Sequence, residues 1–138
     1  MKRWEDTIGE VERNPKSLLV LVRYENTGAK RSERIKKLFS NAKSRLKSRV
    51  IFLPHLSGGA PPPKNFDEIV KTALKNRGIQ IHSQTRLEGF GFYAHICVEK
   101  GLYNLGELLG IPQEHWTINM NKSVGNPKIL ERHGIKWV

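Results

Sequence analysis

Short apolar runs, separated by polar and glycine-rich segments, predict the order of elements in the first half of this chain. Residues 17–24 and 50–54 are apolar runs of strand length, and residues 31–48 between them carry apolar side chains at helical spacing. Two strands joined through a helix are most simply parallel neighbours, so this pattern predicts a βαβ unit. A second helix is predicted after Asn65, because Asn65 and Glu68 have the spacing of a capping box.

The second half of the chain carries a different pattern. Residues 79–85 alternate between apolar and polar side chains, and residues 90–98 are apolar and aromatic, which together predict an antiparallel hairpin around residues 86–89. Short helices are predicted at residues 102–109 and 127–133. The expected fold class is therefore α/β, as one domain with a mixed sheet that combines the βαβ unit with a C-terminal hairpin.

Composition is typical of a globular domain and excludes several other classes. Hydrophobic residues make up 38% of the 138 positions and charged residues 27%. No apolar run approaches the roughly 18 residues of a membrane span, and the first residues lack the apolar core of a signal peptide, so we expect a cytoplasmic protein without membrane contact. The single cysteine, Cys97, lies in an apolar run, and the five histidines lack the spacing of a zinc motif, so we expect no metal and no cofactor.

The charge balance indicates a polyanionic partner. Twenty-four Lys and Arg residues against 13 Asp and Glu residues give a net charge of +11, as in many nucleic-acid-binding proteins. The excess is concentrated in residues 30–49, where nine residues are basic and only Glu33 is acidic. Five of these side chains lie away from the apolar stripe of the predicted helix or on its flank, and they are candidate phosphate ligands: Lys36, Lys37, Lys47, Arg34 and Arg45. The alternative is a solvated helix face in a generally basic protein.

Further candidate site residues follow the predicted strands. In an open α/β sheet, ligands bind beyond the carboxyl ends of the strands, which places His55 at the edge of a pocket. Gly89 and Gly91 allow the backbone to come close to a ligand or to another backbone, since neither has a Cβ atom. The plainer alternatives are that His55 bonds a loop and that Tyr93 packs in the core.

Three short motifs resemble a known family. They are Pro-His-Leu-Ser at 54–57, Gly-Phe-Gly-Phe-Tyr at 89–93 and Gly-Glu-Leu-Leu at 106–109. In this order, and with the predicted elements between them, they resemble the archaeal threonyl-tRNA synthetase editing domain, which is similar in fold to D-tyrosyl-tRNA deacylases. The resemblance spans residues 17–110 and implies a D-aminoacyl-tRNA deacylase-like core. On this interpretation residues 1–16 are an N-terminal arm and residues 111–138 a C-terminal extension of the same domain.

The resemblance also implies a reaction on aminoacyl-tRNA. Members of the family hydrolyse the ester that joins a wrong amino acid to the terminal adenosine of tRNA. Their catalytic His, Tyr and Glu match His55, Tyr93 and Glu107 here, whereas the family's lysine, which directly follows the tyrosine, is replaced by Ala94. Two outcomes therefore stay open: a weakened or altered deacylase, and a fold that only binds RNA.

The expected partners come from the same features. The charge favours tRNA or another RNA, and the resemblance further implies homodimerisation and association with an aminoacyl-tRNA synthetase. The competing hypothesis is a non-catalytic nucleic-acid-binding or assembly protein, which would use its charge and an α/β scaffold without a pocket for the 3′ end of tRNA.

Overall fold

The computed structural model of this chain describes residues 1–22, 29–53, 64–91, 94–121, 123 and 125–138, with the backbone alone at residues 29–36, 39, 48, 52 and 95. The helices are α1 (Trp4–Arg13), α2 (Ala29–Leu46), α3 (Phe66–Asn76), α4 (Glu99–Leu109) and α5 (Pro127–Arg132). The strands are β1 (Ser17–Val22), β2 (Val50–Leu53), β3 (Arg86–Gly91), β4 (Trp116–Ile118) and β5 (Lys136–Trp137). A π-helical turn, Ala94–Val98, leads directly into α4, and short 3-10 turns cover Lys47–Arg49 and Gln113–His115.

The described strands form one sheet in the order β2-β1-β3-β4-β5, and every neighbouring pair is parallel. β1 and β2 are joined through α2, which confirms the predicted βαβ unit. The strand order is that of flavodoxin-like doubly wound sheets, in which helices cover both faces. The protein is therefore a single small α/β domain with a five-stranded parallel sheet.

The predicted hairpin is wrong, and the mixed sheet is wrong with it. Residues 79–85, its expected first strand, contain no strand. Instead, the Thr85 hydroxyl accepts a hydrogen bond from the backbone N–H of His82 at 2.8 Å, and the N–H of Thr85 donates to the carbonyl of His82 at 3.1 Å. This local turn uses backbone groups that a strand ladder would need, so it competes with pairing.

The expected second strand of the hairpin, residues 90–98, is divided between two elements. Its first two residues end β3, which pairs in parallel with β1, and residues 94–98 form the π-helical turn. Ala94, Cys97 and Val98 of this turn are all buried. A continuous apolar run does not distinguish a buried helical turn from a buried strand, which is why the pattern misled.

Helices cover the sheet on both sides. We call the side covered by α1 and α2 the α2 face, and the side covered by α3, α4 and α5 the α4 face. The core of the α2 face contains Trp4, Ile8, Val11, Leu19, Leu21, Ala42, Leu46, Val50 and Phe90. The larger core of the α4 face includes Val20, Leu53, Val70, Leu87, Val98, Leu102, Leu105, Ile118 and Leu130. Every residue of β1 is buried, as expected for a central parallel strand.

Both ends of the chain contribute to this one fold. The segment expected as an N-terminal arm contains α1, whose Trp4 ring packs on the ring of Phe90 with 4.1 Å between centroids. The segment expected as a C-terminal extension contributes β4, α5 and β5. The helix predicted at residues 127–133 is confirmed as α5, where the Asn126 side chain accepts a hydrogen bond from the N–H of Lys128 at 3.0 Å. Asn65 also occupies the N-cap of its helix, but its side chain makes no capping bond.

Two glycines set the course of α4 across its face. A Cβ atom at Gly101 would lie 2.9 Å from the Val22 side chain and 3.2 Å from that of Leu53, which are the last residues of β1 and β2. A Cβ atom at Gly106 would lie 2.2 Å from the ring of Trp116, the first residue of β4. The helix therefore starts near the carboxyl ends of the strands and ends near the amino end of β4.

Candidate functional site

The carboxyl ends of β2, β1 and β3 meet at the point where the sheet changes direction. Val22, the last residue of β1, has Leu53 of β2 as its register partner on one side and Gly91 of β3 on the other. The chain passes from β1 to β2 on one side and then returns to β3 on the other, which makes this a topological switch point where doubly wound proteins bind ligands. We call this region the carboxyl edge.

The two predicted catalytic residues of this edge lie outside the described residues. His55 follows the end of β2 by two residues, and Tyr93 follows the end of β3 by two residues. Their role and their distance from each other therefore stay predictions. Ala94, which the resemblance matched to the family's lysine, is fully buried in the π-helical turn.

Gly89 and Gly91 serve close packing within the protein. A Cβ atom at Gly91 would lie 2.7 Å from the carbonyl oxygen of Val22 and 2.9 Å from the side chain of Val98. A Cβ atom at Gly89 would lie 3.0 Å from Leu102 and 3.1 Å from Val98. These glycines were expected to allow close approach of either a ligand or another part of the backbone. The described contacts show close approach of other parts of the protein to both glycines.

Glu107, the third predicted catalytic residue, lies on the exposed side of α4. It follows Gly106, which contacts the first residue of β4, so it belongs to the end of the helix away from the carboxyl edge. The hydroxyl of Tyr103 donates a hydrogen bond to its carboxylate, and this bond, together with the negative charge, raises the pKa of Tyr103. The described structure thus brings Glu107 together with Tyr103.

A polar network that the sequence analysis missed occupies the carboxyl end of β4. The buried amide of Asn119 donates to the hydroxyl of Thr7 at 2.7 Å, and its oxygen accepts from the backbone N–H of Asn121 at 3.0 Å. The Ser123 hydroxyl donates to the carbonyl of Asn119 at 2.8 Å and accepts from the N–H of Gly91 at 3.3 Å. These bonds hold β3, β4 and α1 together. The sequence did contain a signal for this network, because Asn119, Asn121 and Ser123 are polar residues at alternate positions directly after β4.

The predicted phosphate ligands differ in how available they are. Lys37 and Lys47 are exposed, as is Lys43 nearby. Arg45 is also exposed but forms an ion pair with Glu12 of α1, with 3.1 Å between Nη2 and Oε1. The side chains of Arg34 and Lys36 lie outside the described part of the chain.

Two arginine contacts show that part of the basic segment has a structural role. The hydrogen bond and the charge of Arg45 hold the pKa of Glu12 below its usual value. The guanidinium of Arg49 donates to the carbonyls of Val11, Glu12 and Asn14, the last at 2.7 Å. It therefore satisfies carbonyl groups that the C-terminal end of α1 leaves without helical partners. These arginines join α2 and the 3-10 turn after it to α1 and its C-terminal end, and they also charge the surface.

A cleft of about 390 Å³ opens on the α4 face between α4, the 3-10 turn Gln113–His115 and residues 133–135, which join α5 to β5. His133 lies in its wall, with Nδ1 2.7 Å from Oε1 of Glu99. The side-chain amide of Gln113 donates to the carbonyl of His133 at 2.8 Å. Since these residues are 20 and 34 positions apart in the chain, no local pattern could have indicated the cluster.

Aromatic and cationic side chains complete the cleft. The rings of Tyr103 and Trp116 meet edge to face with 6.5 Å between centroids, and the indole N–H of Trp116 donates to the carbonyl of Ile111. The Nζ of Lys100 lies over the ring of Tyr103, 5.9 Å from its centroid, and Tyr103 as a residue is 46% exposed. The cleft thus combines an accessible aromatic ring with a positive charge and an oriented imidazole.

One carboxylate on the α2 face has an unusual proton affinity. Glu88 of β3 is half-buried on the same side of the strand as Phe90. Burial raises the pKa of Glu88 to about 7, and the charge of Glu10 acts in the same direction, whereas Lys2 and Arg86 oppose it. Glu88 therefore exchanges a proton near neutral pH.

The described residues contain neither a metal-binding cluster nor a helix that could span a membrane. Within the described ranges, no group of three or more His, Cys, Asp or Glu side chains is arranged to hold a metal ion. None of the helices in that part of the chain has the length and apolar character needed to cross a bilayer. No protein-family model, curated protein or solved structure matches this chain.

Proposed function

We propose that this protein is an RNA-binding α/β domain that holds the phosphates of tRNA or another RNA on the outer surface of α2 and of the 3-10 turn that follows it. The observation that carries the proposal is a group of exposed lysines, Lys37, Lys43 and Lys47, within the segment 30–49, which has nine basic residues and one acidic residue. Ala42 and Leu46 bury the other side of the helix against the sheet, so the helix is fixed while its cations face water. Exposed lysines near a phosphate backbone release counterions and so favour binding.

The experiment compares two lysine triples of equal charge. Replacing Lys37, Lys43 and Lys47 with Ala should weaken tRNA binding and lower the salt slope of log K by roughly 0.7–0.9 for each phosphate that the variant no longer neutralises. The control replaces the exposed Lys64, Lys71 and Lys75, at and near α3 on the α4 face, with Ala. Equally weakened binding in both variants would show that only net charge matters and would remove the role of α2.

Hydrolysis of mischarged aminoacyl-tRNA is the second candidate function, and one observation favours it. Leu53 and Gly91 lie at the same level of the sheet on either side of Val22, and His55 and Tyr93 each follow by two residues. Adjacent strands are about 4.8 Å apart, so the two segments leave the sheet about 10 Å from each other. The deacylase-like fold that was expected from the sequence includes a hairpin, and the described sheet contains none. The proposal of an editing activity therefore depends on the carboxyl edge alone.

A deacylation assay with mischarged tRNAs tests this second function. Turnover that is abolished in His55→Ala and reduced in Tyr93→Phe would support an editing activity at the carboxyl edge. Absence of turnover, with tRNA binding retained, would leave the RNA-binding function alone. Competition between charged and uncharged tRNA adds a separate measurement, because a pocket for the aminoacyl group predicts preference for charged tRNA. Homodimerisation and association with an aminoacyl-tRNA synthetase are further proposals, which sedimentation of the protein alone and with a synthetase would test.

A further inference from the structure

We propose that the cleft between α4 and the connection from α5 to β5 binds one nucleotide unit, with the base on Tyr103 and the phosphate at Lys100. This site is separate from the RNA-binding surface proposed for α2, because the two lie on opposite faces of the sheet. The inference therefore stands or falls independently of that function.

The size and walls of the cleft fit a small planar ligand. Its volume of about 390 Å³ lies within the range of roughly 300–1,000 Å³ that is usual for small-molecule sites. Ile96 and Ile135 supply apolar wall, and the ring of Trp116 supports Tyr103 from one side. An exposed ring that a neighbouring ring holds in place is a ready surface for stacking, since a base gains contact area there and the protein loses little freedom.

The charged and polar groups of the cleft fit the remaining parts of a nucleotide. The ammonium group of Lys100 lies over the ring of Tyr103, so a base that stacks on this ring takes its place, and the flexible lysine then reaches the phosphate of the same nucleotide. In His133, Nδ1 is taken by Glu99, so Nε2 is the nitrogen left to bond a ribose hydroxyl or a base edge. The bond from Gln113 to the carbonyl of His133 further fixes this residue.

Binding of adenosine monophosphate, measured by calorimetry and by amide shifts in NMR spectra, tests the inference. We expect saturable binding, with shifts at cleft residues, and weaker binding of adenosine or inorganic phosphate alone by roughly tenfold or more, since each has only part of the ligand. A single-stranded oligoadenylate of about five nucleotides distinguishes the two possible ligands, which are a nucleotide within an RNA strand and a free mononucleotide. Tighter binding of the oligonucleotide would assign the site to RNA, and tighter binding of the mononucleotide to a free metabolite.

Paired variants separate the named contacts from general effects. Tyr103→Ala should weaken binding of adenosine monophosphate by roughly tenfold or more, whereas Tyr103→Phe, which keeps the ring, should bind like the parent protein. Lys100→Ala should weaken binding and Lys128→Ala, which removes an exposed lysine of α5 outside the cleft wall, should not. Melting temperatures close to that of the parent would show that each variant is folded.

Three results would overturn the inference. The first is absence of saturable binding of the mononucleotide and the oligonucleotide at millimolar concentration. The second is equal affinity in Tyr103→Ala and Tyr103→Phe. The third is loss of mononucleotide binding in the triple variant of Lys37, Lys43 and Lys47, because that variant leaves the α4 face unchanged.

Discussion

The two faces of the sheet use their side chains in different ways. On the α2 face, charged residues are numerous, and several of them hold helices together, as the bonds from Arg45 and Arg49 to α1 show. On the α4 face, the helix lies so close to the sheet that glycine is needed at Gly101 and Gly106, and a concave cleft remains beside it. The comparison teaches that charge density and concave shape are separate properties here, because the most basic segment is an exposed helix, whereas the cleft lies on the other face and is lined by one lysine, one glutamate and one histidine.

The largest expected effect comes from removing the aromatic contact that holds α1 on the α2 face. Trp4→Ala should lower the free energy of unfolding by about 3–5 kcal/mol, because the Trp4 ring is buried against Phe90 and its removal leaves a cavity. Urea denaturation followed by circular dichroism measures this. Trp137→Ala, at the half-buried edge strand, is the control and should cost clearly less. A decrease below about 1 kcal/mol in Trp4→Ala would show that α1 contributes little to the α2 face.

The next effect contrasts a helix glycine on each face. Gly106→Ala should destabilise the protein by about 1–3 kcal/mol, since its Cβ atom would overlap the Trp116 ring. Gly9→Ala in α1 should be neutral or stabilising by up to about 1 kcal/mol, because only the flexible end of Arg13 lies nearby and alanine favours helix. Equal midpoints of urea denaturation for both variants would contradict the closer packing of the α4 face.

A smaller effect concerns the pH dependence of the α2 face. Because burial raises the folded-state pKa of Glu88 from 4.5 to about 7, the folded protein binds this proton more tightly than the unfolded chain. Its contribution to the free energy of unfolding should therefore fall as the pH rises from 4.5 to about 7. Glu88→Gln removes this titration and should be more stable than the parent above pH 7, by at most about 3 kcal/mol, since each pKa unit corresponds to about 1.4 kcal/mol.

Melting curves of the parent protein and Glu88→Gln across this pH range provide the measurement. The two proteins should have similar stability below pH 4.5, where Glu88 is protonated in both the folded and unfolded states. A constant difference at all pH values would argue against titration of Glu88 as the cause.

The smallest expected effect concerns the partner of Arg45. Glu12→Ala should hardly change the melting temperature, because ion pairs on the surface contribute little to stability. The released Arg45 should instead strengthen RNA binding and raise the salt slope by roughly 0.7–0.9, as expected when one further phosphate is neutralised. Filter binding over a range of salt concentrations would show this, and an unchanged slope would mean that Arg45 does not reach the RNA.

Some elements could be predicted from sequence because local interactions decide them. Residues 17–22 are almost entirely apolar, and a central parallel strand buries both of its sides, so the pattern and the structure agree. The helix at 127–132 begins with Asn126 and Pro127, which favour a helix start through a side-chain bond and a preset backbone angle.

Other features depended on contacts between distant residues. The apolar run at 90–98 could have been a strand or a buried turn, and the choice depended on the packing of Ala94 and Val98 in the core of the α4 face. The cleft pairs His133 with Glu99 across 34 positions, so neither residue had a local signature. The direction of α4 brings the carboxylate of Glu107 to Tyr103, four positions earlier in the same helix, whereas its distance from His55 and Tyr93 stays a prediction.

By itself, the sequence determined the βαβ unit, the basic character and the local helix starts, since periodicity, composition and capping act within a few residues. The tertiary structure alone decided that all described strands are parallel, that α1 completes one face and that the imidazole of His133 meets a carboxylate. The physical reason is that burial and hydrogen bonding between distant segments override weak local preferences, and that such contacts exist only once the sheet order is formed.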